Sequence, residues 1–306
     1  MNSMSNPKTA VGICAFNEEN NIRYLLQNLI SEQNLPEDCR ILVVCSGCTD
    51  RTLEVVKELQ IKDERIEPIF ETTRKGKANA LNRIFEDAGR SVDALTLVNA
   101  DSLPAIGSIA NLVSTLATSN AGVVFAQPVP FKGPNCISYR IATVIWRLHH
   151  FVSFLRNPKL SGELCSIRTG CLRPIPDDVA TDEPYIEFAI REQGYEIRYL
   201  PEAVVYIRCP TNVVDLLKQR KRIWIGHMQL KRATGFTVST SSLKNILRAF
   251  CCLKPNEILY AVLGSFLEVF AYAQAKMNSL NGKIPYIWEP IRSTKTSQLV
   301  QTVCKT

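Results

Sequence analysis

The chain has 306 residues, 46% of them hydrophobic and 21% charged, and its formal net charge is +7. These values are ordinary for a soluble globular protein that is large enough to bury a substantial core. The positive charge suits an anionic ligand or an acidic membrane surface, but the sequence has no basic run with interleaved aromatic residues, so we expect no nucleic-acid partner.

The first hundred residues alternate between short apolar runs and stretches with the spacing of an amphipathic helix. In the first such stretch, Ile22, Leu25 and Leu29 recur at intervals of three and four residues. Strands that alternate with helices indicate a parallel sheet covered on both faces, so we expect an α/β fold. The predicted strands are 9–15, 40–44, 66–70 and 94–98, and the predicted helices are 20–30, 53–59 and 77–88.

The pattern after residue 120 is less regular. It predicts strands at 121–130, 196–200 and 203–207, and helices at 139–155, 181–193 and 211–230. Residues 256–277 are strongly apolar, but Glu257, Glu268 and Gln274 leave no clean run of about 18 apolar residues, as a membrane-spanning helix requires. A helix buried in the protein and a helix lying on a membrane surface both remain open. The polar stretch 291–306 predicts a flexible tail.

The eleven cysteines do not have the setting of a disulfide scaffold. Their number is odd, the chain is long, and residues 1–8 do not resemble a secretory signal. We therefore expect a reducing, cytoplasmic location. Cys45 and Cys48 have the spacing of a redox motif or half a zinc site, but no second such pair accompanies them, which favours small buried thiols.

Asp101 follows the apolar run 94–98, at the expected carboxyl end of a buried strand. Open α/β sheets bind ligands in the crevice beyond such strand ends. A carboxylate placed there is suited to a hard cation that bridges two phosphates. An aspartate after a strand also serves as a turn former or a helix cap, and this segment taken alone favours that structural role.

Several short motifs, in this order, resemble those of the family 2 glycosyltransferases over about residues 9–230. The motifs are Cys14-Ala15-Phe16-Asn17-Glu18-Glu19, Cys45-Ser46-Gly47-Cys48-Thr49-Asp50, Lys75-Gly76-Lys77-Ala78-Asn79-Ala80-Leu81-Asn82, Asn99-Ala100-Asp101, Thr181-Asp182-Glu183 with Gly194-Tyr195, and Gln219-Arg220-Lys221-Arg222-Ile223. The combination is specific to the family, although not to a substrate.

The resemblance implies a GT-A fold, with a mostly parallel central sheet and helices on both faces, followed by a C-terminal helical segment. It implies transfer of a sugar from a nucleotide diphosphate sugar to an acceptor hydroxyl, with inversion at the anomeric carbon. Asp101 would hold Mg²⁺ or Mn²⁺, and Glu183 or Asp182 would be the catalytic base. These two acids are swapped relative to the usual order, so the choice between them stays open. His227 is a candidate second metal ligand, although a lone histidine is more often structural.

Other positions are candidates for donor and acceptor contacts. The resemblance implies that Arg222 meets the diphosphate through charge-assisted hydrogen bonds, although a solvated basic helix face is the alternative. Gly162 and Gln219 are candidates for the acceptor side, because a glycine permits close backbone approach and Gln219 shares a helix face with Arg222. The candidate nucleotide-sugar-binding residues are Ala15, Phe16, Glu18, Ser46, Lys77, Asn99, Asp101 and Arg222.

Three further positions depart from the family's pattern. Cys45 and Ser46 stand where the family has two acids, and Asn99 replaces the first acid of its Asp-x-Asp motif, so we expect Asp101 to carry most of the metal's charge alone. These departures leave open a nucleotide-sugar-binding protein without catalysis, and segment 256–277 leaves open a membrane-surface assembly protein. A nucleotidyltransferase is disfavoured, because it would carry a Gly-rich, basic phosphate loop after the first strand.

The sequence therefore predicts three regions. They are a GT-A domain at 1–235, a helical segment at 236–290 and a flexible tail at 291–306. The expected partners are a nucleotide diphosphate sugar donor, an unidentified acceptor and, through 256–277, the inner face of a membrane.

Overall fold

A computed structural model describes residues 7–89, 91–155, 157–280 and 287–295 of the chain. Its strands are β1 (Thr9–Ala15), β2 (Arg40–Ser46), β3 (Ile66–Glu71), β4 (Ala94–Val98), β5 (Leu103–Pro104), β6 (Ala121–Pro130), β7 (Leu164–Arg168) and β8 (Glu196–Ile207). They form one sheet in the order β3-β2-β1-β4-β7-β6-β8-β5.

Helices cover both faces of this sheet and extend beyond it at the C-terminal side. They are α1 (Ile22–Ser31), α2 (Thr52–Gln60), α3 (Lys77–Gly89), α4 (Ser108–Ala117), α5 (Ile137–Ser153), α6 (Glu183–Glu192), α7 (Val213–Thr234), α8 (Leu243–Phe250) and α9 (Pro255–Leu280). The α/β fold and the C-terminal helical segment predicted from the sequence are confirmed.

The first half of the sheet is parallel. β1 lies between β2 and β4, and β2 also pairs with β3, all in parallel. Successive residues of these strands face opposite sides, so that Val11 and Ile13 pack with α1 and α2, whereas Ala10 and Leu95 pack with α3. Burial on both faces is the physical reason why these strands are nearly continuous apolar runs.

The second half of the sheet is mixed. β7 runs antiparallel between β4 and β6, and β6 is parallel to β8. Residues 196–207 form one strand rather than the two that the sequence predicts. The pairing with β6 jumps from Leu200 to Val204, because Pro201 has no N–H to donate and the strand bulges around it.

The C-terminal helix α9 packs against α5 and α7. By length and composition alone it is apolar enough to cross a membrane, with a mean hydropathy of 1.5 over its most apolar window, although the acids in its sequence argue against a clean span. Only 22% of that window is buried in the protein. One side of α9 nevertheless contacts protein closely, because a Cβ at Gly264 would lie 3.2 Å from Ile141.

Residues 291–295, expected to belong to a flexible tail, lie against the protein. The Ser293 N–H donates to Asp215 Oδ2 over 3.1 Å, and Thr294 is buried. This return of the chain brings Lys295 to the loop that follows β1. Residues 296–306 lie outside the described part of the chain.

Candidate active site

A cavity of about 1000 Å³ lies beyond the carboxyl ends of β1, β2 and β4. The structure brings to it every predicted site residue except Asp182, which is buried beside it. The predicted residues that line the cavity are Ala15, Phe16, Glu18, Ser46, Lys77, Asn99, Asp101, Gly162, Glu183, Gln219, Arg222 and His227.

Hydrogen bonds to the loop after β2 fix the loop that follows β1. Asn17 adopts a left-handed backbone conformation, with φ of 53°, which asparagine tolerates better than most residues. Its side chain accepts from the Thr49 N–H at 2.8 Å and donates to Thr49 Oγ1 at 3.0 Å. The Glu18 N–H donates to Thr52 Oγ1 at 2.7 Å. These bonds turn Phe16 and Glu18 towards the cavity.

The Glu18 carboxylate is held by two side chains. Lys295 Nζ donates to Glu18 Oε1 at 2.6 Å and also to the carbonyls of Phe16 and Asn17. Asn21 Nδ2 donates to Glu18 Oε2 at 2.8 Å. Burial raises the pKa of Glu18 to about 7, Asp101 adds to the rise and Lys295 opposes it. Lys295 therefore closes over the residue that the family resemblance assigns to the nucleotide.

Asp101 has a second carboxylate beside it. Glu163 Oε2 accepts from Asn99 Nδ2 at 2.8 Å and from Ser102 Oγ at 3.2 Å, and no described residue donates to Glu163 Oε1. Burial raises the pKa of Glu163 to about 7, with Asp101 as the next cause. Burial also raises the pKa of Asp101, against the attraction of Lys295. Asn99 thus orients an acid instead of supplying one.

Lys77, at the start of α3, lies between the two acids of the Thr-Asp-Glu motif. Its Nζ is 3.0 Å from Asp182 Oδ2 and 3.8 Å from Glu183 Oε1. The Asp182 side chain is 4% exposed and that of Glu183 is 25% exposed. Asp182 is therefore the buried partner of the lysine, and Glu183 is the acid that a ligand in the cavity can reach.

The pKa values of these two acids are shifted in opposite directions. Burial would raise the pKa of Glu183, but Lys77, Lys159 and Arg222 outweigh burial and hold it below its usual range. Burial and the neighbouring Glu183 raise the pKa of Asp182 despite Lys77. Burial would lower the pKa of Lys77, but the two acids raise it. The accessible acid is thereby kept ionised at neutral pH.

Two glycines make room for the Thr181-Asp182-Glu183 motif. A Cβ at Gly162 would collide with Cγ of Glu183, and a Cβ at Gly226 of α7 would collide with the Thr181 hydroxyl. Gly162 therefore makes room for a side chain one methylene longer than aspartate. Gly226 lets α7 approach the loop before α6.

Two arginines and a serine complete the side of the cavity that Phe16 and Lys77 line. The Arg74 guanidinium lies 3.9 Å from the ring centroid of Phe16, a cation–π contact. Arg222 Nε donates to the Ala180 carbonyl at 3.0 Å, which holds its guanidinium near Lys77 and the two acids beside that lysine. The buried Ser46 hydroxyl has no hydrogen-bond partner among the described residues.

The opposite side of the cavity is formed by α5, α7 and α9. Arg220 pairs with Glu268, which also accepts from Trp224 Nε1 at 2.8 Å. Burial, Lys159 and Arg220 hold the pKa of His227 well below its usual value, so its imidazole is neutral. Neither ring nitrogen of His227 has a partner among the described residues.

The donor set around Asp101 fits a hard divalent cation. The carboxylates of Asp101 and Glu163 lie beside the Asn99 amide, whose oxygen is a third possible ligand, and oxygen ligands suit Mg²⁺ and Mn²⁺. Asp101 and His227 have different charged neighbours. The charges that affect the pKa of Asp101 include Lys295 and Lys77, whereas those that affect the pKa of His227 are Lys159 and Arg220. The described residues contain no group of three or more acidic, histidine or cysteine side chains arranged to hold a metal. The metal role of His227 stays a prediction.

Sequence reasoning did not identify three functional candidates. Glu163 was visible only as the neighbour of Gly162, and Lys159 precedes an irregular loop without a motif. Lys295 lies in a stretch that composition predicts to be flexible. Arg74, in contrast, is adjacent to the Lys75-Gly76-Lys77 motif and was within reach of the same reasoning.

The sheet order and the cavity beyond the carboxyl ends of the parallel strands are those of a GT-A fold. The profile of glycosyl transferase family 2 matches residues 10–180, more than half of the chain, and the protein belongs to that family. This membership supports glycosyl transfer as its activity.

Relatives of known name are distant. Poly-β-1,6-N-acetyl-D-glucosamine synthase of Staphylococcus epidermidis is 23% identical over 278 residues, which are 85% of this chain and 65% of that protein. Probable glycosyltransferase YdaM of Bacillus subtilis is 23% identical over 279 residues, 87% of this chain and 63% of that protein. The chain thus spans slightly less than two thirds of these curated relatives.

A solved structure shares the fold over nearly the whole chain. Mannosyltransferase PcManGT from Pyrobaculum calidifontis, solved with GDP-Man and Mn²⁺, has a TM-score of 0.62 and 22% identity. The match covers 99% of this chain and 87% of that one.

Proposed function

We propose that the protein is an inverting glycosyltransferase that moves a sugar from a nucleotide diphosphate sugar to an acceptor hydroxyl, with Glu183 as the base. The observation that carries this proposal is the difference between the two acids beside Lys77. Glu183 lines the cavity with a lowered pKa, whereas Asp182 is buried against the lysine. An accessible acid that is ionised at neutral pH is the form that a general base needs.

The donor is proposed to lie across the carboxyl ends of β1, β2 and β4. The Phe16 ring and the unpartnered Ser46 hydroxyl supply one apolar and one polar contact for the nucleoside. Lys77, Arg74 and Arg222 supply positive charge for the diphosphate. The complex of PcManGT with GDP-Man supports a nucleotide sugar as donor.

Asp101 and Glu163 are proposed to hold a divalent metal ion. The Mn²⁺ in the PcManGT complex is consistent with such an ion. When bound, the ion stabilises the negative charge that develops on the departing diphosphate. The Asn99 amide and the Ser102 hydroxyl orient the Glu163 carboxylate for this role.

The transfer is proposed to be one in-line displacement. The acceptor oxygen gives its proton to a Glu183 carboxylate oxygen and forms a bond to the anomeric carbon. The bond between that carbon and the diphosphate oxygen breaks, and the nucleoside diphosphate leaves with the electron pair. Lys77, which also pairs with Asp182, holds Glu183 in place.

The location proposed for this activity is the cytoplasmic face of a membrane. The ten described cysteines are free thiols, which suits a reducing compartment, and the outer face of α9 is apolar. Flotation with liposomes tests the membrane contact. We expect the full chain to float, and recovery of the chain with the soluble fraction at physiological salt would refute this contact.

Release of nucleoside diphosphate from uridine and guanosine diphosphate sugars tests the chemistry. We expect Glu183→Gln to retain donor binding, measured as a thermal shift, and to lose turnover. If Glu183→Gln turns over donor like the unmodified protein, Glu183 is not the base. If no nucleotide or nucleotide sugar shifts the melting temperature with or without Mn²⁺, the enzyme proposal fails.

A further inference from the structure

The cavity does not end at the polar site but continues between α5, α8 and α9. The walls of this part are mainly apolar, with Ser265 and Glu268 of α9 as polar members, and we call it the apolar chamber. It is lined by Ile145, Leu148 and Val152 of α5, Phe250 of α8 and Val269 of α9. Nucleotide and sugar groups do not need an apolar chamber, so the chamber calls for a ligand with a hydrocarbon part.

The apolar chamber reaches the surface along α9. Val269 and Tyr272 line the cavity and are also 68% and 42% exposed, respectively. The outer face of α9 carries further exposed apolar side chains, namely Ile258, Leu259, Val262, Leu263, Phe266 and Phe270. Such a continuous patch on a soluble surface indicates an interaction site.

Basic side chains flank this patch. Lys244 and Arg248 on α8 and Lys254 before α9 are exposed, whereas the nearby acid Glu257 is paired with Arg147 at 2.9 Å. Apolar side chains flanked by cations fit the surface of a bilayer that contains anionic lipids. The open end of the chamber would then face lipid.

Lys159 lies where the apolar chamber meets the polar site. It lines the cavity, and the charges that affect it are those of the acids Glu183, Glu187 and Glu268 and of the cation Arg220. Its ammonium group has no hydrogen bond or ion pair within the described part of the chain. These acids stabilise its charge from a distance but do not pair with it, so its donors are available to an anionic group on the ligand.

We propose that the acceptor is a phosphate-bearing membrane lipid. Its hydroxyl lies at Glu183, its phosphate at Lys159 and its hydrocarbon chain in the apolar chamber, which it enters past Val269 from the bilayer. This inference rests on the proposed function, because Glu183 is taken as the base, and it adds the chemical class of the acceptor.

Binding of hexyl, octyl and decyl phosphate to the full chain, each below its micelle concentration, tests the inference by calorimetry. We expect affinity to rise up to about fourfold for each methylene that enters the chamber. Decanol and inorganic phosphate, which each carry one of the two features, should bind more weakly than decyl phosphate. Lys159→Gln should bring decyl phosphate to the affinity of decanol.

Leu148→Trp narrows the chamber and should remove the dependence on chain length. Leu247→Trp is the matched control, because it makes the same change at an exposed site of α8 outside the cavity. Ile145→Phe gives a second test if Leu148→Trp does not fold.

Nucleoside diphosphate binding to the same samples separates the two proposals. If nucleotide binds but chain length has no effect, or if the effect survives in both chamber variants, the lipid acceptor is refuted. Equal affinity for inorganic phosphate and decyl phosphate refutes it as well. If the alkyl phosphates bind as expected but no nucleotide does, the proposed glycosyl transfer is refuted instead.

Discussion

Replacing Lys77 by methionine tests the central electrostatic feature of the site. The substitution keeps most of the apolar stem and removes the ammonium group that lies 3.0 Å from Asp182 and 3.8 Å from Glu183. Two adjacent carboxylates then lose the cation between them. We expect a loss of stability and a change in the ionisation of the proposed base.

The size of the stability loss follows from burial. Removing one partner of a fully buried ion pair costs about 3–5 kcal/mol, because the other charge is left without compensation. The Asp182 side chain is 4% exposed, but that of Lys77 is 29% exposed, so solvent screens part of the interaction. We therefore expect Lys77→Met to lower the free energy of unfolding by roughly 2–3 kcal/mol at pH 7.

The loss should depend on pH with a definite sign. The pKa of Glu183 is lowered in the folded protein, so its contribution to stability is present above the pKa of the unfolded chain and is lost as pH falls. The pKa of Lys77 is raised, so its contribution is present below the pKa of an unfolded lysine. The pKa of Asp182 is raised, so this acid takes up its proton earlier as pH falls and its pairing with Lys77 is lost first. The difference in stability between the two proteins should therefore be larger at pH 7 than at pH 4.

Urea unfolding at pH 7 and pH 4 measures this difference, with Lys75→Met as the control. Lys75 is exposed and two residues away, so its loss should change stability little. Lys77→Met should also move the acid limb of the rate profile to higher pH, because Glu183 loses the cation that most lowers its pKa. Equal stability of the two variants, or a difference that does not change with pH, would refute the reasoning.

Three further predictions concern the metal, the nucleotide and the base. Asp101→Asn and Glu163→Gln should each weaken Mn²⁺ binding, measured by electron paramagnetic resonance, by roughly tenfold or more. Lys295→Ala should tighten binding of nucleoside diphosphates in calorimetry, because it releases the carboxylate that the lysine now occupies. Gly162→Ala should slow sugar transfer by displacing Glu183, and a second change, Glu183→Asp, should restore part of the rate.

Matched controls keep these three results interpretable. Glu202→Gln, Lys276→Ala and Gly170→Ala make the same changes at sites away from the cavity, and a Cβ at Gly170 meets no atom within 4 Å. Weaker nucleotide binding in Lys295→Ala would show that the lysine contributes to the donor site. No difference between a variant and its control would contradict the corresponding prediction.

The parallel half of the fold was predictable because its information is local. Each strand there is buried on both faces and each helix has one apolar side, so periodicity alone defines both. β1 and β4 have the bounds that the sequence predicts. The cavity was predictable for a related reason, since the ends of parallel strands meet at one edge of the sheet.

The mixed half depends on contacts that periodicity does not encode. β7 is five residues long and enters the sheet antiparallel between β4 and β6, and its pairing with β4 spans more than sixty residues of chain. Lys295 reaches Glu18 from 277 residues away. Composition indicates only that such residues are polar and suited to the surface. It carries no information about their distant partners, which only the folded chain brings into contact.

The departures from the family pattern are linked in space by one loop, residues 162–163. Asn99 lacks a carboxylate, but its amide holds that of Glu163 beside Asp101, so in the proposed metal site Glu163 would share the charge that the sequence assigns mostly to Asp101. Glu183 is longer than the usual aspartate, and Gly162 leaves the space that the extra methylene fills. A single loop therefore contacts both altered positions. Reverting one of them alone would leave either a third carboxylate beside Asp101 or an empty space beside the base.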